Sequence, residues 1–370
     1  MFEDQTKKPF IKRLLKHRIK FWLTVAAVLL ILTTGAVSLY IKSALEPVDK
    51  NNAKTVSVYI PEGSTVTSIA AKLKKEDLIK NEKVFIAYVK FKNASGFQAG
   101  NFQLSQSMDA AGMVKKLTSA SHVPAFKITV PEGRQLQEIA AIIAGQTNYS
   151  AADIMKKLDD REFISRLKQK YPKLITDDVL NKNIKHPLEG YLYPATYPFY
   201  DPETKLDAII EAMIKQTDQL AEKYEKQMKD KKMSVHKALT MASLIEEEAT
   251  EKADRHKISS VFYNRISKNM PLQTDPTVLY ALGEHKNRVM YKDLEADSPY
   301  NTYKHAGLPP GPIANAGESS WEAALNPEQT DYVYFLAKKN GEVVFTKTLE
   351  EHNKAKAKYI TNTQDEEKGE

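Results

Sequence analysis

An uncharged, mostly apolar run of 21 residues, Phe21 to Ile41, constrains this chain more than any other feature of its sequence. At about 1.5 Å per residue, a helix over this run would span roughly the ~30 Å hydrocarbon core of a bilayer. Trp22 and Tyr40 lie at its two ends, where amphipathic rings prefer the membrane interface. A cleaved signal peptide is the alternative, but its apolar region usually has only about 7–15 residues. We therefore expect residues 21–41 to form an uncleaved transmembrane helix.

The placement of charge predicts the orientation of that helix. The net charge is +7, and the first twenty residues contain seven Lys or Arg against two acidic residues, which leaves only +2 for the other 350. A basic tail before a nearly balanced body is not typical of a nucleic-acid-binding domain. Because the basic flank is N-terminal, we expect residues 1–20 to be cytoplasmic and everything after Lys42 to be extracytoplasmic. The protein would then be a single-pass protein of the cell membrane.

A short internal repeat begins the folded body. Ile60-Pro61-Glu62-Gly63 recurs 70 residues later as Val130-Pro131-Glu132-Gly133. In each copy alternating apolar residues predict a strand, Pro-Glu-Gly predicts a turn, and an amphipathic pattern predicts a helix. The first copy resembles the start of a LysM module, a small βααβ fold that binds glycans containing N-acetylglucosamine. Strand, turn and helix in this order are also a generic structural unit, so both interpretations stay open.

The remaining pattern predicts an α+β protein with several parts. After a linker (42–54) we expect a LysM-like domain (55–122), a second repeat unit with a helical connector (123–185), a mixed α+β domain (186–358) and a disordered tail (359–370). Asp201-Pro202 predicts the start of a long helix, with Asp as cap and Pro as first residue. Ser234 predicts the cap of the next helix. Residues 272–312 are rich in Pro, Gly, Asn and Thr and should be largely loop, and Asn340-Gly341 predicts a hairpin.

Three consecutive glutamates follow an apolar helix at Leu239 to Ala249. On a 3.6-residue period Glu246 and Glu248 fall on apolar faces, whereas Glu247 falls on the most polar side. Burial and neighbouring like charge both raise the pKa of a carboxyl group, as a general acid near neutral pH requires. A solvated helix end with Lys252 as the partner of Glu248 is the alternative. The periodicity does not choose between Glu246 and Glu248 as a catalytic group.

Two further segments offer polar groups on rigid loops. Gln273, Thr274 and Asp275 could bind sugar hydroxyls and acetamides, although Asp275-Pro276 also reads as a helix cap. Residues 298–314 form a Pro- and Gly-rich segment that is either functional or a structural cover. Scattered histidines, the lack of cysteine and the lack of a phosphate-binding glycine loop leave no metal or cofactor predicted.

These segments together resemble the endolytic murein transglycosylase family (MltG or YceG-like). The matching stretches run from Leu188-Glu-Gly-Tyr-Leu-Tyr-Pro through Ala242-Ser-Leu-Ile-Glu-Glu-Glu and Leu272-Gln-Thr-Asp-Pro-Thr to Tyr300-Asn-Thr-Tyr303 and Gly307-Leu-Pro-Pro-Gly-Pro-Ile. The resemblance implies that Glu246 is the single catalytic glutamate. It also implies that Glu248, Gln273, Asp275 and Asn301 line or support the site, and Thr274, Tyr303 and Glu189 are further candidates.

The implied reaction is non-hydrolytic cleavage of the bond between N-acetylmuramic acid and N-acetylglucosamine in peptidoglycan. Protonated Glu246 would give its proton to the leaving oxygen and then accept the proton of the muramyl 6-hydroxyl, which attacks C1 and leaves a 1,6-anhydro end. A muramidase-type hydrolase that uses Glu246 with Asp275 is one alternative, and a non-catalytic glycan-binding scaffold of wall synthesis is another. The implied partners are glycan strands, the membrane and wall-synthesis (penicillin-binding) proteins, and no nucleic acid.

Overall fold

The computed structural model describes residues 7–119, 122–250, 253–283 and 289–361, with side chains from residue 20 onward. Its helices are α1 Lys7–Leu45, α2 Val66–Lys75, α3 Glu82–Phe91, α4 Ala110–Thr118, α5 Leu136–Ala144, α6 Ala151–Leu158, α7 Arg161–Lys170, α8 Leu206–Lys223, α9 Glu225–Asp230, α10 Val235–Glu248, α11 Arg255–Ser267, α12 Asp275–Leu282, α13 Glu318–Leu325 and α14 Leu349–Lys356. Its strands are β1 Thr55–Ile60, β2 Gly100–Ser105, β3 Phe126–Thr129, β4 Thr196–Phe199, β5 Tyr334–Ala337 and β6 Val343–Thr346. The predicted α+β class is therefore correct.

Helix α1 contains the apolar run. Within the described residues, Lys20–Leu45 is the one helical segment long and apolar enough to cross a membrane, with a mean hydropathy of 2.1 over its most apolar window. Its large side chains, such as Leu30 and Leu39, are exposed, since no other described segment packs around them. The helix continues to Leu45, into the segment predicted as linker. The first six residues of the predicted basic tail lie outside the described residues.

The chain divides into two compact units, and the first comprises residues up to 126 together with 199–203. Strands β1 and β2 pair antiparallel here, with Thr55 opposite Ser105 and Ile60 opposite Gly100. Their inward residues pack with α2, α3 and α4 around one apolar core that includes Val58, Leu73 and Phe102. The strand, turn and helix predicted for the first repeat are thus present. Gly63 in the turn has φ +75°, a conformation that glycine adopts without steric cost.

The second unit comprises residues 127–198 and 204–370 and contains the second repeat. Strand β3 pairs with β4, and α5 follows the Pro-Glu-Gly turn, in which Gly133 has φ +70°. The central part of helix α10 is enclosed, since every residue from Ala238 to Ile245 is buried. It packs against α11, α12 and α13. Strands β5 and β6 form the predicted hairpin, with Tyr334 opposite Thr346.

Three local predictions need correction. Helix α8 begins at Leu206 with Lys205 as its cap, so Asp201-Pro202 forms a turn before the helix and does not start it. The helix cap indicated at Asp275-Pro276 is off by one residue, because α12 begins at Asp275, with Thr274 as its cap residue and Pro276 in its first turn. The tail predicted from residue 359 begins inside a helical turn, Ala357–Thr361, and residues 362–370 lie outside the described residues.

Candidate active site

The end of helix α10 separates the three glutamates as the helical period predicts. Glu246 and Glu248 are partly buried, whereas Glu247 is exposed. Consecutive residues on a helix diverge by about 100°, so Glu246 and Glu248 point in directions roughly 200° apart. The two carboxyl groups consequently lie in different surroundings, and each is described below with its own partners.

The Glu246 carboxyl lies at the N-terminus of helix α13. Its Oε2 accepts a hydrogen bond of 3.0 Å from the backbone N–H of Gly317, the cap residue of α13. Its Oε1 lies 3.5 Å from Nη2 of Arg255, whose Nε donates to Ser320 Oγ at 3.1 Å. Only 7% of the Glu246 side chain is exposed. This carboxyl is therefore held in one orientation by a helix N-terminus and a guanidinium, and both favour a negative charge there.

A further carboxyl, that of Glu132, lies beside this arrangement. A Cβ built on Gly317 would overlap the Glu132 carboxyl, so Glu132 rests directly against that glycine. Burial raises the pKa of Glu132, and the negative charge of Glu246 raises it further, whereas Arg255 opposes the shift. The sequence analysis did not select Glu132 as a site residue. The signal that could have found it is the second Pro-Glu-Gly turn.

Asn315 holds the turn that carries Glu132. Its side chain is fully buried, accepts from the N–H of Arg134 at 2.6 Å and donates to the carbonyl of Pro131 at 3.0 Å. Its backbone also exchanges two hydrogen bonds with the turn, from Gly133 N to Asn315 O and from Asn315 N to Arg134 O, both 2.9 Å. Buried polar groups paired on both sides fix geometry, so residues 131–134 have one defined position.

The Glu248 carboxyl faces a separate cavity of about 370 Å³. The Thr274 hydroxyl donates to Glu248, and the Tyr303 hydroxyl donates to Asp275 Oδ1 at 2.6 Å. Burial raises the pKa of Glu248 to about 7, although the hydrogen bond from Thr274 acts to lower this pKa. Polar and aromatic side chains line the cavity: Glu248, Arg265, Gln273, Thr274, Asp275, Tyr303, Tyr334, Phe335 and His352, with Leu272 and Leu349. The structure thus brings five of the predicted site residues together, and Glu246 does not line this cavity.

Arg265 fixes the wall of the cavity. It is buried, and its guanidinium donates to the carbonyls of Val333, Pro271 and Leu272 at 2.7–3.0 Å and to Gln273 Oε1 at 3.2 Å. Gln273 has φ +51°, which an L residue rarely adopts. Such strain persists where the surroundings over-determine the backbone, and it is common at functional sites. The backbone of Gln273 is therefore held in a conformation that this residue would rarely adopt on its own.

Asn301 and Glu189 do not line the cavity beside Glu248. Asn301 is fully buried and donates to the carbonyls of Leu294 and Ala296 at 2.8 and 2.9 Å, so it shapes the loop that precedes Tyr303. Glu189 is buried and accepts from the N–H of Leu136 at 3.0 Å, at the start of α5. Burial raises the pKa of Glu189 to about 8. The geometry gives these two residues supporting positions inside the unit.

Comparison with known proteins leads to the same family as the sequence motifs. The model of the YceG-like family matches residues 58–358. The chain belongs to the YceG-like family. This confirms the resemblance identified from the sequence, and the match contains both repeats and every predicted site residue.

Relatives of this YceG-like chain match over most of its length. It is 66% identical over 331 residues to the endolytic murein transglycosylase of Bacillus subtilis (strain 168), covering 90% of this chain and 92% of that protein. It is 34% identical over 340 residues to the endolytic murein transglycosylase of Streptococcus pneumoniae serotype 2 (strain D39), covering 87% of this chain and 62% of that protein. The 2.6 Å crystal structure of a YceG-like protein from Listeria monocytogenes superposes with a TM-score of 0.61 at 53% identity, covering 81% of this chain and 99% of that one.

Proposed function

We propose that this chain is an endolytic murein transglycosylase that cleaves the bond between N-acetylmuramic acid and N-acetylglucosamine in peptidoglycan strands. The observation that carries the proposal is the 66% identity to the B. subtilis protein of that name over nearly the full length of both chains. The buried carboxyl of Glu246 supplies the chemistry that such a reaction needs. The product of the lytic reaction is a strand that ends in 1,6-anhydro-N-acetylmuramic acid.

In the proposed mechanism Glu246 acts first as an acid and then as a base. Its proton passes to the glycosidic oxygen as the bond to C1 breaks and positive charge develops on the sugar ring. The carboxylate then takes the proton of the muramyl 6-hydroxyl while that oxygen bonds to C1. Gly317 N–H and Arg255 support the second step because they stabilise the carboxylate that accepts the proton. At the end Glu246 is protonated again, so no water is consumed.

The cavity beside Glu248 is the proposed place for neighbouring sugar units. Its acceptors and donors, from Gln273, Thr274, Asp275 and Tyr303, match the hydroxyl and acetamide groups of the glycan, and its aromatic walls suit the apolar faces of sugar rings. Asn301 and Glu189 would support this binding region from behind. The proposed roles are therefore substrate binding for the cavity residues and support for the buried pair.

The rival hydrolase would use Asp275 as a second catalytic carboxylate. Asp275 accepts the Tyr303 hydroxyl and lines the cavity with Glu248, whereas Glu246 has Gly317 and Arg255 as its partners. These surroundings favour the lytic mechanism, which needs only one carboxyl for proton transfer. If Asp275 were a catalytic carboxylate, Asp275→Asn should abolish activity as fully as Glu246→Gln.

We also propose that α1 is an uncleaved anchor with its N-terminus in the cytoplasm and the rest of the chain outside the cell membrane. The length and hydropathy of Lys20–Leu45 and the basic residues before it support this topology. The order β1-α2-α3-β2 supports a LysM-like assignment for residues 55–122, which would bind glycan or position residues 186–358, the proposed catalytic domain. A short tether would keep cleavage close to nascent strands and to the wall-synthesis proteins.

The deciding experiment is mass spectrometry of fragments released from purified peptidoglycan by the full chain in detergent. Wild type should release fragments with anhydro-muramyl ends, and Glu246→Gln should release none. Glu322→Gln is the matched control, because Glu322 is an exposed glutamate of α13. Reducing ends, one water heavier, would establish a hydrolase. The scaffold hypothesis makes two predictions. Wild type and Glu246→Gln should both be inactive on isolated strands and on membrane-linked nascent strands, and Glu246→Gln should support normal growth in cells.

A further inference from the structure

A glutamate outside helix α10 shares the surroundings of the proposed catalytic carboxyl. Glu132 and Glu246 both contact Gly317, the first at its Cα and the second at its backbone N–H. They come from segments more than one hundred residues apart in sequence. Local sequence cannot place two like charges together, so the fold itself brings them to one residue.

Gly317 is a glycine for a reason that involves Glu132. Its φ of −72° and ψ of 167° are extended values that any residue adopts, so its backbone does not require glycine. The three atoms nearest to a Cβ built at this position all belong to the Glu132 carboxyl, each under 3.0 Å away. The missing side chain therefore makes room for that carboxyl.

The turn that carries Glu132 is anchored on both sides of it. Asn315 binds the carbonyl of Pro131 on one side and both the N–H and the carbonyl of Arg134 on the other. Asn315 lies two residues before Gly317, so the same short segment anchors the turn and contacts the carboxyl. The Glu132 residue as a whole is exposed, and its carboxyl packs against Gly317.

We propose that Glu132 is a second carboxylate of the active site, a positioning residue that acts through Glu246 by controlling the proton the pair holds. This deepens the proposed function and rests on it. Two close carboxylates resist the loss of their last shared proton, so the pair starts the cycle with one proton present. That proton goes from Glu246 to the leaving oxygen, and the 6-hydroxyl returns one proton to Glu246. Glu132 forms no bond to the substrate.

The charges that surround the pair set the sign of the effect. Arg255 from α11 opposes the repulsion, Glu247 from α10 adds to it, and Tyr193, which faces Glu132 and Glu318, is neutral near pH 7. The negative charge of Glu246 also raises the pKa of Glu132. Removal of the Glu132 charge should therefore lower the pH at which the active site loses the proton that is passed to the leaving oxygen.

The test is the pH dependence of cleavage by the full chain in detergent, with Glu132→Gln beside wild type. We expect the pH at which kcat/KM falls on the alkaline side to decrease by about 0.5–1 unit, which is the effect that one nearby charge has at a partly solvated site. KM should be nearly unchanged. Glu322→Gln is again the control, since Glu322 is an exposed glutamate of α13, and its profile should superimpose on that of wild type. A Glu132→Gln profile that superimposes on wild type would overturn the proposal, and so would loss of activity at every pH as complete as that of Glu246→Gln.

Two further measurements separate this inference from the proposed function. Carbon-13 NMR titration of Glu132 needs no substrate, and its pKa should fall in Glu246→Gln; an unchanged pKa would overturn the coupling even if wild type cleaves peptidoglycan. If wild type releases no anhydro fragments, the proposed function fails while this titration still decides the coupling. Gly317→Ala should displace the Glu132 carboxyl and shift the alkaline limb in the same direction as Glu132→Gln. In the Glu132→Gln background Gly317→Ala should cause no further shift, and an additive shift would count against the proposal.

Discussion

Substitution of Asn315 by alanine tests how the turn of Glu132 is held. The variant removes the side-chain hydrogen bonds to Pro131 and Arg134 and a longer one of 3.4 Å to the carbonyl of Leu192. Each enclosed polar group that loses its partner costs about 1–3 kcal/mol. Because the contacts at Pro131 and Arg134 are only partly buried, we expect a total loss of about 2–4 kcal/mol in the free energy of unfolding.

The assay is chemical unfolding of the full chain in detergent, together with amide hydrogen exchange at Arg134, which reports the local opening of the turn. Asn326→Ala is the control, because Asn326 is exposed and its side chain donates only to Glu322 O, at 3.1 Å in the same helix. That control should cost under about 1 kcal/mol. Cleavage by Asn315→Ala should also fall, since Glu132 loses its fixed position. An Asn315→Ala variant as stable as the control, with unchanged Arg134 exchange, would refute this account.

Three further predictions concern the cavity and the buried supports. Arg265→Lys should destabilise the chain by about 2–4 kcal/mol, because one ammonium cannot replace the guanidinium hydrogen bonds to three carbonyls and Gln273. Thermal unfolding measures this loss, and a value under about 1 kcal/mol would contradict the prediction. Tyr303→Phe removes the hydrogen bond to Asp275 and should raise KM for glycan strands several-fold with little change in kcat, so a change confined to kcat would argue against a binding role. Glu189 has a folded-state pKa of about 8, above its unfolded value, so its contribution to stability is present at low pH and is lost as pH rises toward and through 8. Unfolding at pH 6 and 9 should therefore show a smaller decrease for Glu189→Gln than for wild type.

Local pattern predicted most of the elements correctly. The strand–turn–helix repeat, the cap at Ser234 and the hairpin at Asn340-Gly341 all depend on neighbouring residues, and the structure contains each of them. The start of α8 was wrong because Asp201-Pro202 satisfies the rules for a helix start and for a turn equally well. Contacts from distant segments decide between such alternatives.

For the candidate site as well, some features could be predicted from the sequence and others could not. The period of α10 determined that Glu246 and Glu248 leave the solvent while Glu247 stays exposed, because side-chain direction on a helix depends only on spacing. Sequence also placed Gln273, Thr274 and Asp275 on one short segment. It could not show that Glu248 belongs with them and Glu246 does not, since that depends on which elements pack against the two sides of α10.

By itself, then, the sequence determined the apolar N-terminal helix, the repeat, the α+β class and the family, since each follows from the order and spacing of neighbouring residues. Only the tertiary structure decided the partners of Glu246. Gly317, Arg255 and Glu132 come from three other segments, and long-range packing of α10, α11 and α13 with the turn anchored by Asn315 brings them together. Electrostatic coupling depends on distance in space, so the charges that act on a carboxyl cannot be read from its neighbours in the chain.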